Sequence, residues 1–364
     1  CFSAPVDSDL KLAWTGHYAQ QPDIAFRIEA ASFQGRPVWF DVRGPWVHQE
    51  ARVFPLPLQI AMWAVLLASL VMWTAIAVLV RRNLRLGRGD RKGAIRLTLF
   101  LLACTTIAQM LRADHVAAVF EEVGLVFNLM AQVLLYALIN WLIYIALEPI
   151  ARRRWPQLLV GWTRLLDGRW RDPLVGRDML VGGLGGIALA LVLHLAIEVP
   201  TWFGLPSAAP RVSIITSLEN FRHLVHFILW MPYAAVTVGF GTLLGLLLDR
   251  AIFRSQLLAL MVLSLSLYFA FAVFTRIDDV WTVAGAVFTI IYLVIILRAG
   301  LLAAVISFYV FQVLEATPLS LNFSLWYADR TMASMILIVG LLLYGFWISL
   351  GRKPIFGSAW LERD

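Results

Sequence analysis

Two pairs of ionisable side chains within apolar stretches are the first candidates for chemistry. His194 and Glu198 are four residues apart, and His223 and His226 are three apart, so each pair shares one face of a helix. Imidazole nitrogens and carboxylates at these spacings can ligate zinc, and histidine can ligate a haem iron. Because each residue lies within a turn or two of a predicted membrane interface, where it needs no partner, we predict no metal site.

Two other motifs suggest chemistry and lack a required part. Glu121-Glu122 resembles the paired glutamates of intramembrane prenyl-protein proteases, but position 126 is Val where that chemistry needs an arginine. The glycine-rich run 182–186 has no preceding strand and no Lys-Ser or Lys-Thr after it, so it is not a phosphate-binding loop. We interpret the first motif as an acidic outer loop and the second as a close contact between helices.

A segment rich in both arginine and tryptophan, residues 152–178, joins two long apolar runs. Apolar residues recur in it at helical spacing with cationic ones between them, which predicts an amphipathic helix with Pro156 in its first turn. Such a helix lies on a membrane surface, with tryptophan at the headgroups and arginine on anionic lipid. The alternative is a basic loop packed on neighbouring helices. The residues expected to face lipid are Arg152, Arg153, Arg154, Trp155, Trp162, Arg164, Arg169, Trp170 and Arg171.

The elements that carry these residues are apolar runs of membrane-spanning length. The chain has 364 residues, 60% of them hydrophobic, and a mean hydropathy of +0.78, which excludes an ordinary soluble domain. We predict an all-α polytopic membrane protein with about nine crossings, or eight if Arg298 and Gly300 only bend one long helix. The predicted crossings are 56–80, 95–112, 124–147, 179–199, 224–248, 257–275, 281–297, 300–314 and 331–349.

The arginine and lysine residues predict the orientation of these helices. Of the 30 Lys and Arg residues, twice as many fall on one side of the predicted arrangement as on the other. The richer side is cytoplasmic by the positive-inside rule, so residues 1–53 lie outside and the tail 351–364 lies inside. The membrane domain is 54–350, with basic cytoplasmic loops 81–96 and 150–178. The net charge of +7 therefore indicates anionic lipid as a partner, and not nucleic acid.

Residues 1–53 are the one sizeable polar stretch. Ile24–Ala31 and Pro37–Val42 are rich in residues that favour strands, and Gln34-Gly35 supplies a turn between them, which predicts a β-hairpin. About 50 residues is little for an independent core, so we expect the end of a small β-containing domain. Cys1 is either the start of a fragment or the processed cysteine of a lipoprotein, and the fragment is favoured because no signal segment is visible.

Several stretches together resemble one family. RIEAASFQGRPVWFDVRGPW, RRNLRLGRGDRKGAIRL, LEPIARRRWPQLLVGWTRLLDGRWRDPLVGRD and FSLWYADRT are similar to the C-terminal membrane region of multi-pass bacterial serine/threonine protein kinases of the kind found in Acidobacteria. The resemblance covers nearly the whole chain and is most specific at NLRLGRGD and DPLVGRD. It implies a preceding cytoplasmic kinase domain on the full-length chain, a location in the bacterial inner membrane, and allows a homodimer.

The catalytic motifs of that family are missing from these residues. There is no G-x-G-x-x-G-x-V loop, V-A-I-K lysine, H-R-D loop or D-F-G in the sequence. ATP and Mg would therefore bind only through the missing kinase domain. The sequence predicts a membrane-embedded anchor or sensor region coupled to that domain, and the alternative is a self-contained transporter or intramembrane metal-dependent enzyme that uses the outer-leaflet His and Glu residues.

Overall fold

Three strands and ten helices form in the part of the chain that the computed structural model describes, which is residues 9–18, 21–44, 56–115, 118–204, 220–274, 279–320 and 322–351. The chain divides into two units, Cys1–Met62 and Trp63–Asp364. The first unit contains an antiparallel sheet in the order β1-β2-β3. Its strands are β1 (Leu10–Tyr18), β2 (Gln21–Phe33) and β3 (Arg36–Arg43).

The predicted hairpin is confirmed as β2 and β3. Gln34 and Gly35 both have positive φ, at 49° and 75°, which gives the hairpin the tight turn that matches the twist of its strands. Strand β1 was missed, and its sequence includes Lys11 and Gly16, two residue types that are depleted in strands. The tail 351–364, apart from Gly351, and the beginning 1–8 lie outside the described residues.

The two faces of this sheet differ in chemistry. On one face Glu29 is buried, accepts from Arg27 Nε and forms an ion pair with Arg43 Nη2, each with an N–O distance of 2.9 Å. The opposite face carries Leu12 of β1 and Phe40 of β3, which are 46% and 66% exposed. A buried carboxylate is stable here because two guanidinium groups compensate for its lost hydration.

The ten helices follow the polar unit. Their bounds are α1 Leu56–Arg85, α2 Arg91–Arg112, α3 Val119–Arg154, α4 Pro156–Leu166, α5 Pro173–Trp202, α6 Phe221–Phe253, α7 Gln256–Phe274, α8 Asp279–Ala299, α9 Leu301–Ala316 and α10 Ala328–Ser349. Helix α5 packs on α8, α9 and α10, and α6 packs on α2, α3, α7 and α9. Leu244, Leu301 and Phe240 are among the fully buried side chains of this core.

Seven of the described helices are long and apolar enough to cross a membrane, namely α1, α2, α3, α5, α6, α8 and α10. The chain is therefore a helical protein of the multi-pass membrane type. The described apolar part of α7, Gln256–Tyr268, and helix α9 are shorter. With 16 residues, α9 is about 24 Å long, less than the roughly 30 Å of a bilayer core. Seven crossings are therefore supported by helix length, and the count of nine stays a prediction.

Glycines 182–186 let α5 approach its neighbours closely. A Cβ on Gly182 would lie 2.6 Å from the carbonyl oxygen of Ala303, and one on Gly186 would lie 2.5 Å from that of Ser307. A Cβ on Gly183 would meet Leu342 of α10 at 2.5 Å. The interpretation of this run as a helix contact is confirmed, because any side chain here would push α9 or α10 away.

Gly300 separates α8 from α9. Its φ of 94° and ψ of −177° belong to a region that only glycine occupies readily. A Cβ at this position would also lie 2.8 Å from the carbonyl oxygen of Leu158 in α4. The chain therefore forms two helices here, and α4 lies directly against their junction.

Candidate functional site

The ends of α1, α2 and α3 meet at one end of the helical unit, which we call the basic end and define by residues 86–90 and 150–172. Asn83 ties α1 to α3 there, since its Nδ2 donates to the carbonyl oxygen of Ile145 at 2.8 Å and to that of Ala146 at 3.3 Å. Pro149 has no N–H to give to Ile145, four residues earlier in the helix. Asn83 supplies the hydrogen bond that the proline removes.

Asp90 organises the start of α2. Its Oδ1 accepts from the backbone N–H of Gly93 at 2.8 Å, which makes it the N-cap, and its Oδ2 accepts from the Tyr144 hydroxyl at 3.2 Å. Gly93 has no room for a side chain, because a Cβ would overlap Asp90 Oδ2 and would lie 2.9 Å from the Tyr144 hydroxyl oxygen. The cap thereby fixes α2 to α3.

Glu148 is the second carboxylate at this junction, and its side chain is 5% exposed. Its Oε1 forms an ion pair with Arg152 Nε at 2.6 Å, and its Oε2 accepts from the backbone N–H of Asp90 at 3.2 Å. A buried carboxylate remains charged only when donors replace its hydration. Both carboxylates of the junction are thus fully engaged by groups of the chain itself.

A cavity of about 470 Å³ opens beside these groups. It is formed by the turn after α1, the last turn of α3 and the end of α4. Volumes of a few hundred Å³ are typical of sites for small molecules. The cavity is lined by Arg88, Gly89, Asp90, Glu148, Pro149, Arg152, Arg153 and Asp167.

Helix α4 confirms the predicted amphipathic helix and corrects part of the predicted lipid-facing set. Trp162 is only 3% exposed and packs edge-on against Phe240, with ring centroids 5.2 Å apart. Trp155 is half-buried beneath the guanidinium of Arg250, 5.4 Å from its ring centroid. These two tryptophans face protein, because the apolar side of α4 fills the space beneath the ends of α8 and α9. The packing on neighbouring helices agrees with the alternative, although residues 156–166 form a helix and not the loop which that alternative predicted.

The turn after α4 is held by an ion pair. Arg164 Nη1 donates to both oxygens of Asp172 at 2.6 and 2.7 Å, and Asp172 Oδ1 caps α5 by accepting from the N–H of Leu174 at 3.0 Å. Burial opposes ionisation of Asp172, but the hydrogen bonds and charge of Arg164 outweigh it and hold the pKa of that carboxyl below its usual range. Of the other predicted lipid-facing residues, Arg153, Arg154, Arg169, Trp170 and Arg171 are exposed, and their contact with lipid stays a prediction.

The two pairs predicted as possible metal ligands lie on different helices and contact different neighbours. His194 of α5 pairs with Glu315 of α9 at 3.5 Å, whereas His226 of α6 is buried and its Nδ1 lies 2.8 Å from the carbonyl oxygen of Ala108 in α2. Glu198 is exposed, and His223 is half-buried beside His226 on α6. Within the described ranges no group of three or more His, Cys, Asp and Glu side chains is placed to hold a metal ion.

Glu121 and Glu122 lie in the first turn of α3 and not in a loop, so the predicted acidic loop is wrong at these two residues, although Glu122 takes part in a surface cluster. It pairs with His115, and Arg222 Nη2 lies 3.1 Å from Asp114 Oδ1 in the same loop. The hydrogen bond from Glu122 raises the pKa of His115 above its ordinary value, and the Met110 carbonyl and the charge of Glu122 act in the same direction. These pairs are exposed and therefore contribute little to folding.

Sequence reasoning missed the residues that build the junction, namely Asn83, Asp90, Tyr144 and Glu148. Two signals were present. Asp90 precedes a helix in a glycine-containing turn, which is the pattern of an N-cap, and Glu148 precedes a proline inside an apolar helix, where a helical hydrogen bond must be missing.

Comparison with protein families, with curated proteins and with solved structures finds no match to this chain. The geometry of the basic end and the resemblance of the sequence motifs therefore carry the functional argument.

Proposed function

We propose that this chain is the membrane-embedded anchor and sensor region of a larger signalling protein, resembling that of a receptor-like bacterial serine/threonine kinase. In this proposal it crosses the inner membrane nine times, with residues 1–53 outside and the basic end in the cytoplasm. The basic end then lies beside the attached kinase domain, which alone would bind ATP and Mg. The seven long apolar helices and the concentration of arginine at one end support this arrangement.

The way in which α1 is attached is the observation that carries the proposal. Toward the end of α1 that is near the basic end, Ile76, Val80 and Asn83 are buried. Earlier in the same helix the large side chains are exposed, including Trp63 at 67% and Leu70 at 65%. Helix α1 is thus held through its last turns, and its large side chains are exposed earlier in the helix.

A helix held in this way can transmit a displacement. The sheet-bearing segment precedes the exposed beginning of α1 in the chain, so a force or ligand acting on that segment reaches the bundle through α1. Asn83 joins α1 to α3 and Glu148 joins α3 to the start of α2, so movement of α1 alters the turn at residues 86–90. A stimulus produces such a shift only if it binds two arrangements with different affinity.

The first test is to read the coding sequence upstream of the Cys1 codon in the same frame. A continuous frame with the glycine-rich loop, the strand lysine and the catalytic-loop aspartate supports the proposal. A start codon and a lipoprotein signal directly before Cys1 would refute it.

The second test measures coupling in the full-length protein. Asn83→Ala should change autophosphorylation by at least about fivefold, the lower end of typical allosteric couplings. Asn128→Ala is the matched control, because Asn128 is an exposed residue of α3 that only bonds Gln132 of the same helix. Equal activity of both variants and the wild type would show that α1 does not control the kinase.

A further inference from the structure

The cavity at the basic end has an imbalance between free hydrogen-bond donors and free acceptors. Asp90 accepts from Gly93 and Tyr144, and Glu148 pairs with Arg152 and accepts from the Asp90 amide. Three of the four carboxylate oxygens therefore already accept a hydrogen bond, and the fourth, Glu148 Oε1, is in an ion pair. The two acidic residues deepest in the lining have little left to offer a cation.

The donors of the lining are far less engaged. Among the residues that the structure describes, Arg88 and Arg153 form no ion pair, and Arg152 uses Nε while its two terminal nitrogens remain available. Guanidinium groups present several N–H donors in a planar fork that matches the oxygens of a phosphate. Three such groups around one cavity favour an anion with several oxygens.

Asp167 adds a second requirement. Its carboxylate lines the same cavity and, within the described residues, has no side-chain partner. A bare anion would be repelled by it, whereas a phosphate that carries a nearby ammonium or hydroxyl group would donate to it. The lining therefore fits a phosphate ester with a donor group a few atoms away.

The position of the cavity relates this chemistry to the bilayer. Helices α1 and α3 are apolar up to the residues that form the cavity, and the arginines begin where these apolar runs end. The mouth therefore lies at the level where phospholipid phosphates sit. Glycerol and ethanolamine headgroups carry a hydroxyl or an ammonium group close to the phosphate.

We propose that this cavity binds the phosphate of a phospholipid headgroup through Arg88, Arg152 and Arg153, while Asp167 accepts a hydrogen bond from the headgroup's hydroxyl or ammonium. This inference deepens the proposed function by naming a ligand for the junction that α1 contacts. It rests on the cavity and does not require a kinase domain. A failure to bind lipid would therefore refute this inference, and an unchanged kinase activity would refute the proposed function.

The test compares two double variants that remove the same charge from different places. Arg88→Gln with Arg153→Gln alters the cavity, and Arg254→Gln with Arg298→Gln alters two exposed arginines that neither line the cavity nor belong to the predicted lipid-facing set. The purified chain in neutral detergent is titrated with short-chain phosphatidylglycerol and phosphatidylethanolamine, and bound lipid is counted by native mass spectrometry. Circular dichroism during heating establishes that both variants are folded.

The cavity variant should bind lipid at least about tenfold more weakly than the wild type, and the control variant should change by less than about twofold. Equal losses in the two variants would show non-specific attraction to cations and would overturn the proposal. Unchanged binding by the cavity variant would also overturn it. If the cavity variant fails to fold, Arg153→Gln alone is compared with Arg254→Gln under the same criteria.

Competition with inorganic phosphate distinguishes the source of the phosphate group. Failure of phosphate to displace the lipid supports a headgroup site, because the ester and its donor group are then required. Displacement by phosphate, with the same loss in the cavity variant, would overturn the lipid assignment and leave a soluble phosphate compound as the ligand. Asp167→Asn should weaken phosphatidylethanolamine more than phosphatidylglycerol, because it removes a charge that favours ammonium.

Discussion

The hydrogen bond between Asn83 and the carbonyl of Ile145 predicts a specific energetic coupling between two distant positions. Pro149 deprives that carbonyl of its helical donor, and Asn83 is 5% exposed, so water cannot readily replace the amide. In Asn83→Ala the carbonyl loses its donor at 2.8 Å. Leaving a buried acceptor unpaired costs about 1–3 kcal/mol, and we expect the free energy of unfolding to fall by that amount.

The same substitution should cost much less when residue 149 has an N–H. In Pro149→Ala, the new amide can donate to Ile145 as in any helix. Asn83→Ala then removes only the weaker contact to Ala146 at 3.3 Å, which corresponds to about 0.5–1 kcal/mol. The double-mutant cycle should therefore give a coupling energy of roughly 1–2 kcal/mol between the two positions.

Reversible unfolding in mixed detergent micelles, followed by circular dichroism, provides the four free energies of the cycle. Asn128→Ala serves as the control, and its cost should be the same in the wild type and in the Pro149→Ala background. If Asn83→Ala costs as much in the Pro149→Ala background as in the wild type, the amide does not compensate for the proline, and the explanation given for the α1–α3 contact is wrong.

Three further predictions concern other parts of the helical unit. Gly186→Ala should lower the melting temperature, because the new Cβ would lie 2.5 Å from the Ser307 carbonyl oxygen. This contact should outweigh the preference of alanine for helix, which is about 1 kcal/mol. Gly340→Ala is the control, since a Cβ there would meet nothing within 4 Å, and it should leave the melting temperature unchanged or raise it. Gly300→Ala should cost about 1–3 kcal/mol of stability through its backbone conformation alone, with the unobstructed Gly241→Ala as control in the same melting experiment. Folding lowers the pKa of Asp172, so its ion pair should stabilise the protein above the unfolded pKa of about 3.9. This stabilisation should disappear as the pH falls through the pKa of the folded state. Melting curves of the wild type and Asp172→Asn should therefore differ at neutral pH and converge in strong acid.

The positions of the helices could be predicted from the sequence more readily than their surroundings. A period of apolar residues in 156–166 predicts a helix whether its apolar face meets lipid or protein, so the pattern could not reveal that Trp162 packs on Phe240. The glycines of 182–186 predicted a close contact, because no other role fitted them. They carried no information about which helix would fill the space.

The junction at the basic end was harder to predict for a different reason. Its members come from residues that are about 60 positions apart, and the hydrogen bonds between Asp90, Tyr144 and Glu148 depend on how α2 and α3 are placed. Likewise, Glu315 was not considered as a partner of His194, since the two are separated by several crossings. Periodicity describes each helix alone, whereas these contacts depend on tertiary arrangement.

The glycine-lined surface of α5 has a consequence for how the protein is made. The helices that cover it, α8, α9 and α10, all follow it in the chain, and the residues that contact Gly182 and Gly186 are synthesised more than a hundred positions later. During translation α5 therefore enters the bilayer with its closest-packing surface against lipid. When the short α9 is synthesised, the glycine-lined surface of α5 is already present for it to pack against. The order of synthesis therefore places α5 in the bilayer before the helix that depends on it.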